Sequence, residues 1–113
     1  MSDVVIVGCG YIGIELGTQL QATGYDVTGV RRSDEGLDAI AAAGLTPHRG
    51  DATDPASLTS LPDAKWVIFA ASAGGRGADT ARRIYLDGLQ YTINEYATRS
   101  TTPDRIVYTS STG

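Results

Sequence analysis

Gly8, Gly10 and Gly13 stand at the spacing Gly-x-Gly-x-x-Gly, directly after the β-branched run Val4-Val5-Ile6-Val7. That setting gives the spacing a chemical meaning. A strand, a glycine turn and a helix start together aim unpaired N–H groups and the positive end of a helix dipole at an anion. Gly8 permits the tight turn, Gly10 lets a pyrophosphate approach the backbone, and Gly13 lets the helix lie close to the strand. Gly17 extends that smooth face by one turn. With Tyr11 and Ile12 at the helix start, loop 8–13 is expected to bind a dinucleotide. Packing in a tight turn would explain a glycine or two, but not three at the offsets a ligand requires.

The second group with chemical content lies at the end of the next strand. A site for NAD(H) places a carboxylate about 20 residues beyond the glycine loop, where it takes the ribose hydroxyls. Here the chain reads Val30-Arg31-Arg32-Ser33, with no acid at that position. A guanidinium attracts and forks onto a 2′-phosphate that a carboxylate would repel. Ser33 adds a further donor, and Asp34 and Glu35 fit as acids at a helix N-terminus. The cofactor expected is therefore NADP(H) ahead of NAD(H). Against this stands the plainer reading that one or both arginines are solvated surface residues.

Other chemistry is sparse. Cys9 is the single cysteine and His48 the single histidine, so neither a disulfide within the chain nor a metal site is expected. Cys9 reads as a small residue packed under the cofactor in preference to a reactive thiolate, and His48 as a surface or partly buried residue. The net charge of −4 and a pI near 4.7 disfavour nonspecific nucleic-acid binding. The sequence shows no signal peptide and no apolar run of the roughly 20 residues a membrane span needs, so a cytoplasmic location is the expectation.

The elements that must position these groups alternate in period. Strands are expected at 4–7, 27–30, 45–49, 66–70 and 105–109, the third weakened by Pro47. Helices are expected at 11–23, with Ile12, Leu16 and Leu20 as its buried stripe, and at 35–43, capped by Ser33 or Asp34. Gly24 and Gly44 close those two helices. Pro55 opens a brief helix through Leu58, and a Gly-rich stretch leads to the longest helix, 79–99, with Ile84, Leu86, Leu89, Ile93 and Tyr96 on its apolar side. Short connections between alternating strands and helices imply right-handed crossovers. The fold expected is a three-layer α/β Rossmann-like domain over 1–113, its parallel sheet of about five strands ordered 3-2-1-4-5.

Two further segments, Arg49-Gly50-Asp51-Ala52-Thr53-Asp54 and Tyr108-Thr109-Ser110-Ser111-Thr112-Gly113, follow the third and fifth strands. With the glycine loop and Phe69-Ala70-Ala71-Ser72, the chain resembles the N-terminal half of the short-chain dehydrogenase/reductase superfamily. It is most similar to the extended or atypical branch that includes nucleoside-diphosphate-sugar epimerases and dehydratases. The resemblance implies that Asp51 meets the adenine amino group and that Ala52 lines the adenine pocket. Ala70, Ala71 and Ser72 would border the ribose and central cofactor. Ser111 would be the catalytic hydroxyl that hydrogen-bonds the substrate's reacting oxygen. Asp51 as a turn residue and Ser111 as a helix cap remain the structural alternatives.

The sequence also departs from that branch. The glycine spacing is tighter than the usual Thr-Gly-x-x-Gly-x-x-Gly, and Tyr85 stands where an asparagine is usual. The family's Tyr-x-x-x-Lys pair is absent: Lys65 is the only lysine, and Leu61 stands four residues before it. The expectation is thus an N-terminal cofactor-binding part, not competent for turnover by itself, whose small-molecule substrate is met by a region beyond Gly113. Relatives dimerise through helices flanking the sheet, which makes a homodimer through the long helix a further expectation. Two other readings compete: a regulatory dinucleotide-sensing module such as those that gate ion transport, which usually carry an acid where Arg31 and Arg32 stand, and another NADP-dependent reductase with the same glycine spacing.

Overall fold

The computed structural model describes residues 2–70 and 78–108. Strand β1 (Ser2–Val7) runs through the middle of a five-stranded sheet, between β2 (Val27–Arg31) and β4 (Ala64–Phe69). β3 (Thr46–Arg49) and β5 (Arg105–Tyr108) form the edges, giving the order β3-β2-β1-β4-β5 with all pairs parallel. This is the expected Rossmann-like α/β sheet. Its switch point falls between β1 and β4, where successive connections leave in opposite directions.

β1 is apolar at successive positions because both its faces are covered. Val5 and Val7 join Val67, Phe69, Leu58, Leu61 and Tyr96 in one buried cluster, whereas Val4 and Ile6 join Cys9, Val27, Ile40 and Leu45 in the other. Strand geometry alternates side chains between faces, so a run of four apolar residues fills two cores at once.

Helix α1 (Tyr11–Ala22) covers the second cluster, and its buried residues are Gly13 and Gly17. A Cβ on Gly17 would lie 2.7 Å from Leu45 Cδ1, and one on Gly13 3.1 Å from Ile6 Cγ2. The expected stripe is therefore corrected. Leu16 and Leu20 pack on the core, joined by Ile14, but Ile12 is 69% exposed. The helix approaches the sheet along its glycines, and this turns position 12 outward at the carboxyl edge of the strands.

Helix α2 (Asp34–Ala42) starts at Ser33, whose Oγ accepts from Gly36 N–H at 3.0 Å. Both α1 and α2 end in a left-handed glycine, Gly24 at φ 103° and Gly44 at φ 86°. The following residues, Tyr25 and Leu45, donate back to the carbonyls of Leu20 and Ile40, each at 3.2 Å. Pro47 is tolerated because β3 is an edge strand.

A 3-10 turn (Pro55–Leu58) and helix α3 (Ala78–Ala97) cover the opposite face. The inward side of α3 is Tyr85, Gly88, Leu89, Thr92 and Tyr96. Leu86, expected on the apolar side, is half exposed, and the side chain of Ile84 lies outside the described residues. Thr92 fits the interior because its hydroxyl donates to the Gly88 carbonyl at 2.8 Å. Tyr96 is fully buried, donates to the Pro62 carbonyl at 2.9 Å, and burial pushes its pKa up to about 12.

Candidate functional site

The carboxyl ends of β1, β2 and β3 bring loop 8–13, Arg31–Ser33 and Arg49–Asp51 to one edge of the sheet. Within the glycine loop the N–H groups divide into two sets. Gly8 and Cys9 donate to the Val30 carbonyl, at 3.1 and 2.9 Å, and Gly10 donates to Gly8 at 2.8 Å. These bonds hold a turn that needs Gly8 at φ 77°. The N–H groups of Tyr11, Ile12 and Gly13 begin α1 and have no acceptor within the helix, and Gly10 offers no capping side chain. Tyr11, 93% exposed, and Ile12 project from the same turn, so their backbone is what the loop can present to an anion.

The glycines also divide by what a side chain would meet. Gly13 and Gly17 are required by packing against Ile6, Cys9 and Leu45. A Cβ on Gly10 would instead meet only Arg31 Nη1, at 3.7 Å, which is ordinary contact. The protein's own packing does not demand glycine there. The empty face of Gly10, beside first-turn N–H groups and a guanidinium, fits a pyrophosphate that must approach the backbone closely.

Arg31 leaves β2 across Gly36 of α2, where any Cβ would lie 2.8 Å from Arg31 Nε. This glycine gives the arginine stem its track toward the phosphate loop. Arg32 is exposed. Among the described residues neither Arg31 nor Arg32 forms an ion pair. Ser33 caps α2 as an acceptor, which leaves its hydroxyl proton able to donate elsewhere.

Two residues of this edge were not anticipated as functional. Arg49 ends β3 directly opposite Arg31 in the parallel register. Its Nη1 donates to the Arg32 carbonyl at 2.7 Å, and its Nη2 pairs with Asp34. Gly36 is the other. Pairing β3 with β2 was the signal for Arg49, since that places the residue before Gly50 beside the arginine pair.

Asp51 sits just past β3 in a tight turn: its Oδ1 accepts from Thr53 N–H at 2.9 Å and from Thr53 Oγ1 at 2.7 Å. Its own N–H donates to Ser57 Oγ at 2.9 Å. Ala52 packs toward α3, since a Cβ on Gly88 would stand 3.1 Å from the Ala52 Cβ. Ala70 continues the sheet by donating to the Val7 carbonyl at 2.9 Å, which places it at the switch point. Ala71, Ser72, Ser110 and Ser111 lie outside the described residues.

Cys9 is fully buried beneath the loop, against Gly13 and Gly29. Burial pushes its pKa up to about 11 despite the opposing charge of Arg31. The thiol is thus a packing residue, as expected, and not a thiolate nucleophile. His48 is half-buried, with Nε2 3.1 Å from Ser60 Oγ. Among the described residues no group of three or more His, Cys, Asp or Glu side chains could hold a metal ion, and no helix is long and apolar enough to cross a membrane.

A doubly wound sheet with this loop at its switch point defines a Rossmann-type NAD(P)-binding domain. More specifically, the chain belongs to the TrkA-N domain family, whose model matches residues 4–86. The family model that matches is thus TrkA-N, and not one of the epimerase/dehydratase branch that the Asp51 and Ser111 segments resemble. The reason lies in the glycine loop and arrangement of strands, which several dinucleotide-binding families share.

The chain is 31% identical over 117 aligned positions to Protein YeeZ of Escherichia coli K12, covering 99% of this chain and 41% of YeeZ. It therefore spans about two fifths of the length of the curated relatives it matches. In fold it is similar to Gre2 of Candida albicans, solved with NADPH, at TM-score 0.80 and 20% identity over 98% of this chain and 37% of that one. The NAD(P)-binding domain of an exopolyphosphatase-related protein from Archaeoglobus fulgidus gives TM-score 0.70 and 22% identity, covering 99% of this chain and 76% of that one.

Proposed function

We propose that this chain is the NADP(H)-preferring cofactor domain of a longer oxidoreductase acting on a hydroxyl or carbonyl substrate such as a nucleotide-sugar. The observation that carries the reading is the face of Gly10 left open beside Arg31, with Arg31, Arg32 and Ser33, and no acid among them, ending β2. In this reading the N–H groups of Tyr11, Ile12 and Gly13 hold the pyrophosphate, and Arg31, Arg32 and Ser33 select the 2′-phosphate. Asp51 and Ala52 take the adenine, and Ala70, Ala71 and Ser72 border the ribose and the middle of the cofactor. Ser111 meets the substrate oxygen.

The bound cofactor would supply or accept a hydride. This chain would orient it, and a proton donor equivalent to Tyr-x-x-x-Lys would come from outside these residues. A homodimer through α3 would use Leu86 and the polar outward face, since the apolar side of that helix is turned onto the sheet.

The second reading is a dinucleotide-sensing regulatory domain, which membership of the TrkA-N family favours. Calorimetric titration with NADPH and NADH, at low and high salt, decides between them. A preference for NADPH that weakens with salt and disappears in Arg31→Ala/Arg32→Ala supports the first reading. A preference for NADH favours the sensor, and binding of neither removes both.

A further inference from the structure

We propose that Arg49 is a specificity-determining residue for the 2′-phosphate, held on Asp34 until that phosphate replaces the carboxylate. The inference rests on the dinucleotide reading above and adds to it a residue from the neighbouring strand.

The placement comes from the sheet. Parallel pairing sets Arg49 opposite Arg31, and the Arg49 guanidinium reaches past its own strand to the Arg32 carbonyl at 2.7 Å. It thereby lies over the end of β2, where a dinucleotide's adenosine ribose is held in such sheets. Arg31 cannot serve that position alone, because its Nη1 is turned to the glycine loop, 3.7 Å from where a Gly10 Cβ would stand. Arg31 thus borders both the pyrophosphate and the ribose side, and Arg49 adds a second fork beside Arg31 and Arg32 on the ribose side.

The present partner of Arg49 is replaceable. The Arg49 and Asp34 side chains are 58% and 86% exposed, and exposed ion pairs contribute little to stability. Arg99 shows what a structural arginine looks like in this molecule. Its side chain is only 13% exposed and binds Glu95, Asp63 and the carbonyls of Leu58 and Leu61. Arg49 has one backbone carbonyl and one solvated carboxylate. A phosphate dianion offers the same fork a stronger acceptor than a carboxylate, and the Ser33 hydroxyl and the start of α2 stand beside it. Asp34 thus acts as a resident competitor. It offsets one of the positive charges of the empty site and weakens, without abolishing, 2′-phosphate binding.

The test is calorimetric titration of the chain with adenosine 2′,5′-bisphosphate and with AMP, which differ only in the 2′-phosphate. Arg49→Ala is expected to weaken the bisphosphate about tenfold and leave AMP within about twofold. Asp34→Asn is expected to tighten the bisphosphate severalfold and leave AMP unchanged. Arg49→Lys, which keeps the charge but loses the fork, should fall between wild type and Arg49→Ala. The Lys and Asn variants still decide the matter if Arg49→Ala fails to fold. Equal weakening of both ligands by the Arg49 variants, or an unchanged ratio, would show that Arg49 only clamps the loop and would overturn the proposal. Wild type that binds AMP but prefers no 2′-phosphate overturns it as well, with the dinucleotide site intact. Wild type that binds neither ligand overturns the dinucleotide reading itself and this inference with it.

Discussion

Gly10 and Cys9 are adjacent, and the same turn gives them opposite relations to the protein. A methyl on Gly10 would make only ordinary contact with Arg31 Nη1, so Gly10→Ala should leave the thermal midpoint nearly unchanged while lowering dinucleotide affinity about tenfold or more, because the methyl would occupy the approach of the pyrophosphate. Paired melting and calorimetry check this, and an equal loss of stability and binding would make Gly10 a packing glycine. Cys9 faces the core, and its thiol stays protonated to a pKa of about 11 against an ordinary 9.0. The folded state therefore binds that proton more tightly than the unfolded chain. The resulting stabilisation is complete below about pH 9 and lost as pH rises toward 11. Urea midpoints of wild type should fall more steeply across that window than those of Cys9→Ala, by on the order of 2 kcal/mol.

At the scale of elements, close approach between helices and sheet depends on absent side chains. Gly29 in β2 makes room for Cys9 and Ile40: an added Cβ would lie 2.8 Å from Cys9 Sγ and 3.1 Å from Ile40 Cγ2. Gly29→Ala should destabilise the domain by roughly 1–3 kcal/mol through overpacking, measured as a fall in the urea midpoint at unchanged slope. A variant as stable as wild type would mean that the Cys9 layer can yield. The glycine-faced α1 also explains why Ile12, placed on a buried stripe by its spacing, is exposed. Periodicity identifies a helix and its moment, but the rotation of that helix on the sheet is set by whichever face packs closest. In α3 the same effect moved Leu86 outward and brought Tyr85, Gly88 and Thr92 in.

For the whole molecule, the two cores on either side of the sheet make a frame whose ligand edge is a set of loops. A cofactor bound there should couple to global unfolding. At NADPH a hundred times its dissociation constant, the folded state should gain about 2.7 kcal/mol, visible as a rise of several degrees in the melting midpoint. NADH at the same concentration should shift it less, and the difference should shrink in high salt, since the distinguishing contact is an exposed charge pair. Identical shifts from both would remove the arginine argument.

The strand order was legible in the residues because it follows from local rules. β-Branched runs alternating with helical periods, joined by short connections, leave few sheets besides 3-2-1-4-5. The glycine loop was legible for the same reason, being a contiguous strand, turn and helix. The helix ends at Gly24 and Gly44 also depend only on neighbours along the chain. Tertiary structure alone separated Gly10 from the packing glycines, buried Cys9, turned Ile12 outward and carried Arg49 to the arginine pair. Each of these depends on register and distance between elements far apart in sequence. Such contacts arise from close packing and strand pairing, which no local pattern of residue types encodes.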